Sequence, residues 1–242
     1  MKTRLGKVLH PAASRASRAL RALGLLGIAA LIAGGFALRA FVGVAEDVVE
    51  HEALPFDLRA REIVQGYRTP ALDAVFGAAT WIGDSTVLTV LVALGAIVLA
   101  VRRSRRTALL AVVGPFVASI AIIALKHGFA RERPEGALAL GIRSASFPSG
   151  HATASTASLL TLAYVFARER MVPWWCVPMA VLLALVVGFT RVWLDAHWLT
   201  DVAGGWSVGA ALALGGIALY ERLRIVDRKH AAAPDDEDLP AG

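Results

Sequence analysis

Apolar residues in this chain are gathered into six blocks, at about residues 22–44, 71–101, 107–125, 151–167, 174–193 and 199–220. A helix crosses the hydrocarbon core of a bilayer in roughly 20 residues, and only helices or closed barrels satisfy every backbone polar group there. Blocks of this length and spacing predict an all-α integral membrane protein with six transmembrane helices. Of the 242 residues 57% are hydrophobic and 18% charged, a balance outside the range of ordinary soluble domains. The second block is longer than one crossing, so its beginning is expected to be an interfacial segment. The fourth is short and rich in Ala, Ser and Thr, which suits a helix enclosed by other helices rather than one facing lipid.

Cytoplasmic loops of membrane proteins are enriched in Lys and Arg. Here the basic residues collect in an N-terminal arm with Lys2, Arg4, Lys7, Arg15, Arg18 and Arg21, in "RRSRR" at 102–106, in "RER" at 168–170, and around Arg222, Arg224, Arg228 and Lys229. With six crossings these four places fall on one side, which predicts a multi-pass protein of the cell membrane with both termini cytoplasmic. The chain divides accordingly into a basic arm over 1–21, a membrane domain over 22–222, and a tail over 223–242 whose acidic end, "AAAPDDEDLPAG", has the composition of a disordered segment. A basic arm before an apolar block also resembles a secretory signal. The long charged region and the lack of an Ala-x-Ala site favour an uncleaved first helix. The formal charge of +6 is accounted for by these membrane flanks, so nucleic acid is not an expected partner. The single cysteine, Cys176, lies in an apolar block and rules out an intrachain disulfide.

Three polar stretches fall at membrane ends on the opposite, extracytoplasmic side: "KHGFARERP" at 126–134, "PSGH" at 148–151 and "TRVWLDAHWLTD" at 190–201. Lys126 and Arg133 are two helical turns apart and share a face if the helix continues that far. Together they would clamp an anion, the guanidinium fork matching phosphate oxygens in pairs. Capping of a helix C-terminus or snorkelling to headgroups would explain them equally. In "PSGH" the turn leads into a helix whose first N–H groups, at Ser149, Gly150 and His151, would face an anion. Ser149 could serve as a simple N-cap, but an N-cap does not require a histidine after it.

His197 and Asp201 are four residues apart, so on a helix the carboxylate would accept one imidazole N–H and leave the other ring nitrogen free as a nucleophile. The same pair would also fit half of a metal site or a satisfied interfacial contact. Lys126, Arg133 and Arg191 nearby would repel a metal ion. Three cations, a helix N-terminus, an oriented histidine and a second histidine form the inventory of a phosphoryl-transfer site, with His151 as the acid for the leaving oxygen.

The order Lys-x6-Arg-Pro, Pro-Ser-Gly-His and Arg-x5-His-x3-Asp resembles the three-part signature of the type 2 phosphatidic acid phosphatase superfamily, which includes the vanadium haloperoxidases. The match runs through Lys126, Arg133, Pro134, Pro148, Ser149, Gly150, His151, Arg191, His197 and Asp201. The departure is Thr190, where the family usually has serine. The resemblance implies a membrane lipid phosphatase in which His197 forms a phosphohistidine, Asp201 orients it and His151 protonates the leaving group. Lys126, Arg133, Arg191, Ser149 and the Gly150 amide would hold the phosphoryl oxygens, with no metal or other cofactor. Expected substrates are a phospholipid or polyprenyl phosphate: phosphatidate, phosphatidylglycerol phosphate or undecaprenyl diphosphate. A lipid phosphotransferase and a non-catalytic carrier of anionic lipids are the alternatives, and the paired His197 and Asp201 argue against the second.

Other polar residues have simpler explanations. His127 is expected to touch headgroups, Asp195 to face away from His197, and Trp193, Trp198 and Trp206 to mark a membrane interface. Arg143, Ser144 and Ser146 precede "PSGH" and fit either substrate contact or ordinary loop polarity. The early part of 54–84 reads as an amphipathic helix on the outer interface, lining the lipid's access route.

Overall fold

The computed structural model describes residues 9–230; the first basic residues of the arm, Lys2, Arg4 and Lys7, and the acidic end of the tail lie outside them. The regular elements among the described residues are helices, in the order α1 (Leu9–Val49), α2 (Ala53–Gly66), α3 (Pro70–Ala79), α4 (Ser85–Arg102), α5 (Arg105–Phe129), α6 (Gly136–Ala139), α7 (Gly150–Arg168), α8 (Cys176–Trp193) and α9 (Leu199–His230). The long second block is divided as its punctuation dictates. Thr69 caps α3, with Pro70 in its first turn, a 3₁₀ turn covers Thr80–Gly83, and Asp84 caps α4 by accepting the Thr86 N–H at 2.8 Å. Ser104 likewise starts α5 between two arginine pairs. Helix α9 runs to His230, past the expected end of the sixth block and through the first residues assigned to the tail.

Helix α7 is the centre of the bundle, packed by α9, α8, α5 and α4, while α1 lies along α9. Its enclosed position agrees with its small-residue composition: Thr153, Ser155, Thr156, Ser158 and Thr161 are all buried. Thr153 and Thr156 return their hydroxyls to carbonyls one turn back, at 2.9 and 2.7 Å, so no side-chain partner on another helix is needed. Close approach of α9 depends on Gly205 and Gly209, where an added Cβ would stand 2.8 Å from the Ser149 carbonyl and 2.7 Å from that of Thr153. Large apolar side chains such as Phe36, Leu94, Phe116 and Leu182 point outward from α1, α4, α5 and α8.

Among the described residues, five helical stretches are long and apolar enough to cross a membrane: Gly24–Val49, Ser85–Arg102, Arg105–Phe129, Cys176–Trp193 and Leu199–Val226. The expected sixth, α7, has 19 residues but is too polar to qualify by composition.

The two ends of the bundle differ. At one end the starts of α4, α7 and α9 meet the ends of α5 and α8, with α2, α3 and α6 packed over them. At the other, Glu221 is fully buried and accepts Arg168 Nε at 2.6 Å and the Tyr164 hydroxyl at 3.0 Å. Glu169 there takes Arg224 at 2.7 Å and Arg103 at 3.2 Å.

Candidate active site

Each of the three polar stretches ends at the same cluster. Helix α5 stops at Phe129, because Ala130 turns left-handed with φ 45°. The expected helix over Lys126 to Arg133 therefore does not form. A left-handed alanine costs roughly 1–2 kcal/mol, and Pro134 disfavours helical geometry at Arg133 in any case. The reversal nevertheless brings the two cations together. Lys126 donates from Nζ to the Ala145 carbonyl, and Arg133 Nη2 reaches the same oxygen at 3.1 Å.

His197 and Asp201 are also adjacent, though not by sharing a helix. His197 lies in the turn between α8 and α9, and Asp201 in the first turn of α9. The Asp201 carboxylate folds back to accept the Trp198 N–H at 2.9 Å and the Ser146 hydroxyl. Its Oδ2 stands 3.4 Å from His197 Nδ1, longer than a formed hydrogen bond. On the other side of the ring, Arg133 Nη1 is 3.0 Å from Nε2. A guanidinium has only donors, so Nε2 must accept and the ring proton sits on Nδ1, facing Asp201. Burial pushes the imidazole down to about 3, with Arg133 and Lys126 adding to the effect and Asp201 opposing it. His197 is thus neutral, with its free lone pair directed at a cation. Burial also lowers Arg133 from its ordinary value.

Ser149 is the N-cap of α7 by position but makes no side-chain cap. Its N–H donates to the Asp201 carbonyl at 2.9 Å, and its Oγ is buried without a hydrogen-bond partner. Gly150 follows, with the Lys126 Cε 4.0 Å from where its Cβ would be. His151 is the next residue, and its ring packs on Gly83 of the 3₁₀ turn, where an added Cβ would lie 3.0 Å from His151 Cδ2. Arg191 donates from Nη1 to Thr80 Oγ1 of that turn at 2.9 Å, and its carbonyl accepts the His197 N–H at 3.2 Å. The Arg191 Nε is buried with no partner. Charges on Lys126, Arg133 and Arg191 lie within electrostatic reach of His151. All eight residues singled out for the site in the sequence therefore gather at one end of the bundle.

Around them the simpler readings hold for some residues and fail for others. His127 and Arg143 are exposed. Asp195 faces away, accepting both nitrogens of Arg61 at 2.7 Å. Trp193 and Trp198 donate to Asp73 Oδ1 and the Glu132 carbonyl at 2.8 and 2.9 Å. Trp206 instead lies within the bundle and donates to the Ala184 carbonyl at 3.1 Å. Ser146 is buried on Asp201 rather than being loop polarity. Helix α2 does not simply lie on a surface: Asp57 and Arg61 tie it to Arg131, Thr200 and Asp195. Arg131 and Asp57 carried no motif signal. The only trace in the sequence was a carboxylate in the apolar run "ALPFDL".

At 34% identity over 127 residues, 51% of this chain resembles a decaprenylphosphoryl-5-phosphoribose phosphatase of Mycobacterium tuberculosis, and the match spans 66% of that protein. A phosphatidylglycerophosphatase B of Bacillus subtilis is 34% identical over 96 residues, 36% of this chain and 45% of its own length. Among solved structures, a transmembrane PAP2-type phosphatidylglycerolphosphate phosphatase from Bacillus subtilis superposes with a TM-score of 0.68 at 22% identity, over 83% of this chain and 97% of that one. LpxE of Aquifex aeolicus gives a TM-score of 0.54 at 22% identity, covering 67% and 94%. These likenesses establish a shared helical fold. The family model of the PAP2 superfamily matches residues 107–225, a range that holds all three polar stretches, and through it this chain belongs to the PAP2 superfamily.

Proposed function

We propose that this chain is a membrane-embedded lipid phosphatase that removes a terminal phosphate through a phosphohistidine at His197. The observation that carries the reading is the placement of the His197 ring, with Nδ1 turned to Asp201 and Nε2 beside the Arg133 guanidinium. A group that merely held an anion would need the cation but not the oriented lone pair.

In the first half-reaction Nε2 attacks phosphorus, the bond from phosphorus to the lipid oxygen breaks, and His151 gives that oxygen its proton. In the second, water attacks the phosphohistidine, His151 takes a proton from the water, and the phosphorus–nitrogen bond breaks to release phosphate and the neutral ring. Lys126, Arg133 and Arg191 balance the charge on the equatorial oxygens, with the unpartnered Ser149 Oγ and the Gly150 N–H as further donors. Three fixed cations supply what a divalent metal supplies elsewhere, so turnover is metal-independent. Helix α7 is read as a sixth crossing, with the site on the extracytoplasmic side and both termini in the cytoplasm.

The surroundings of the site and the names of the relatives support a lipid phosphate as the substrate class. A terminal phosphate on a membrane-embedded tail, as in phosphatidate, phosphatidylglycerol phosphate or undecaprenyl diphosphate, would enter a site of this kind at a bundle end. The relatives named above act on a polyprenyl-linked and a glycerophospholipid phosphate by their names.

Purified protein in detergent micelles, offered these three lipids, should release phosphate from at least one of them, in EDTA as well as without it. His197→Ala should abolish release and any labelled phosphoenzyme. His151→Ala should slow release by roughly 10²- to 10⁴-fold, and nitrophenyl phosphate, with its better leaving group, should restore phosphoenzyme formation in that variant only. Label trapped on His151, or complete loss of activity in EDTA, would overturn the reading. Transfer of label to a lipid acceptor in preference to water would identify a phosphotransferase.

A further inference from the structure

Asp201 has two carboxylate oxygens, and only Oδ2 faces His197. The other, Oδ1, accepts Arg131 Nη1 at 2.7 Å. The same nitrogen reaches Thr200 Oγ1 at 2.8 Å, and Nη2 donates to Asp57 Oδ2 at 2.7 Å. Asp57 closes the ring by accepting the Thr200 N–H on Oδ1 at 2.9 Å and the Thr200 hydroxyl on Oδ2 at 2.6 Å. It is thus a remote cap for the first turn of α9, the turn that carries Asp201. Asp57 and Asp201 are both fully buried, and the Arg131 side chain is only 12% exposed.

This arginine differs in kind from the other cations of the site. Lys126, Arg133 and Arg191 spend their donors on carbonyls, hydroxyls and an imidazole, which leaves their charge available to an anion. Arg131 lies between two carboxylates, with its charge already balanced and both arms of its fork engaged. Such a group is unsuited to binding phosphate and well suited to fixing the plane of a carboxylate.

We propose that Arg131 and Asp57 are positioning residues for His197, acting through Asp201. Asp57 holds Arg131 and the start of α9, Arg131 holds Oδ1, and the carboxylate thereby turns Oδ2 toward Nδ1, which sets the tautomer and direction of the imidazole. The role rests on the phosphohistidine reading above, since an orienting chain has a purpose only if His197 reacts.

The test uses the full chain in micelles, with phosphatidate and nitrophenyl phosphate as substrates and inorganic phosphate as inhibitor. Arg131→Gln alone strands the Asp57 carboxylate and should lower the melting temperature. Adding Asp57→Asn removes that charge as well, and the paired variant should melt close to wild type. In the pair kcat should remain reduced by about 10- to 10²-fold, the order expected from a small misplacement of a reacting group. KM and the inhibition constant of phosphate should stay within about twofold. A kcat within about twofold of wild type would overturn the proposal and leave a structural staple. A phosphate inhibition constant that rises in step with the fall in kcat would overturn it differently, making Arg131 a phosphate ligand. Should the pair lose its fold, Arg131→Lys carries the same comparison, since one ammonium cannot serve two carboxylates in fork geometry. Nitrogen-15 spectra of labelled histidine give a readout independent of turnover. His197 should be a single Nδ1-protonated tautomer in wild type and a mixture in the pair. If wild type hydrolyses neither nitrophenyl phosphate nor any of the three lipids named above, the phosphatase reading fails while the tautomer still decides the positioning role, and an unchanged tautomer overturns it.

Discussion

His197 is a case of burial and pairing acting against each other. Asp201 favours the imidazolium, yet the ring is enclosed and flanked by Arg133 and Lys126, so burial wins and the group is held down to about 3. The sign of the linkage follows. Above pH 6.5 the imidazole is neutral in both folded and unfolded chains and contributes no pH dependence. Between about 6.5 and 3 the unfolded chain binds a proton that the folded chain refuses, so stability decreases as the pH is lowered through this range. The melting temperature of wild type should therefore drop between pH 6.5 and 4, and His197→Gln should drop by less over the same interval. Equal falls would show that His197 is already charged in the folded protein, which would remove its lone pair and the proposed nucleophile with it.

Helices α7 and α9 bring the two halves of the proposed chemistry together, His151 and Ser149 from one and Asp201 from the other. Their separation is set by Gly205 and Gly209 one turn apart on α9, each against the backbone of α7. Backbone carbonyls cannot swing aside as a flexible side chain can. A methyl group at 209 should overpack the contact by about 1–3 kcal/mol, which at this chain length lowers the melting temperature by roughly 2–4 °C per kcal/mol. Gly209→Ala should accordingly melt earlier and release phosphate more slowly. Gly35→Ala, at a position with nothing within 4 Å, should do neither. Differential scanning fluorimetry and a phosphate assay on both variants check the contrast, and matching effects would mean that the α7–α9 contact does not set the site.

The whole bundle has a polar end with the site and an opposite end with paired charges. Arg103, Arg168 and Arg224, whose clustering on one side gave the expected topology, are there engaged with Glu169 and Glu221. Their excess over acids is smaller in place than along the chain, but Arg102, Arg170 and Arg222 lie at the same end and keep it basic. With six crossings, a reporter fused after Arg228 should behave as cytoplasmic and one inserted near Gly136 as external. The reverse pattern would invert the proposed orientation. Both reporters on one side would contradict that arrangement, since the three helices α7, α8 and α9 separate the two points.

Length and apolarity of the blocks, the enclosed character of α7 and the eight residues at the bundle end were legible in the chain because each depends on composition or spacing over a few turns. Hydropathy responds to the solvent a segment must satisfy, and motif spacing to which groups a single turn can gather. Lys126 with Arg133, and His197 with Asp201, were paired correctly, yet for a partly mistaken reason. In both cases the spacing implies a helix, whereas Ala130 reverses one segment and a turn precedes α9 in the other. The network behind the site was not legible. Arg131 meets Asp201 across 70 residues and Asp57 across 74, and neither distance leaves a periodic trace. Those contacts exist because antiparallel packing puts the ends of α5 and the starts of α2 and α9 at one level. Only the folded bundle decides which helix ends share a level, so only there does a buried aspartate acquire its partner.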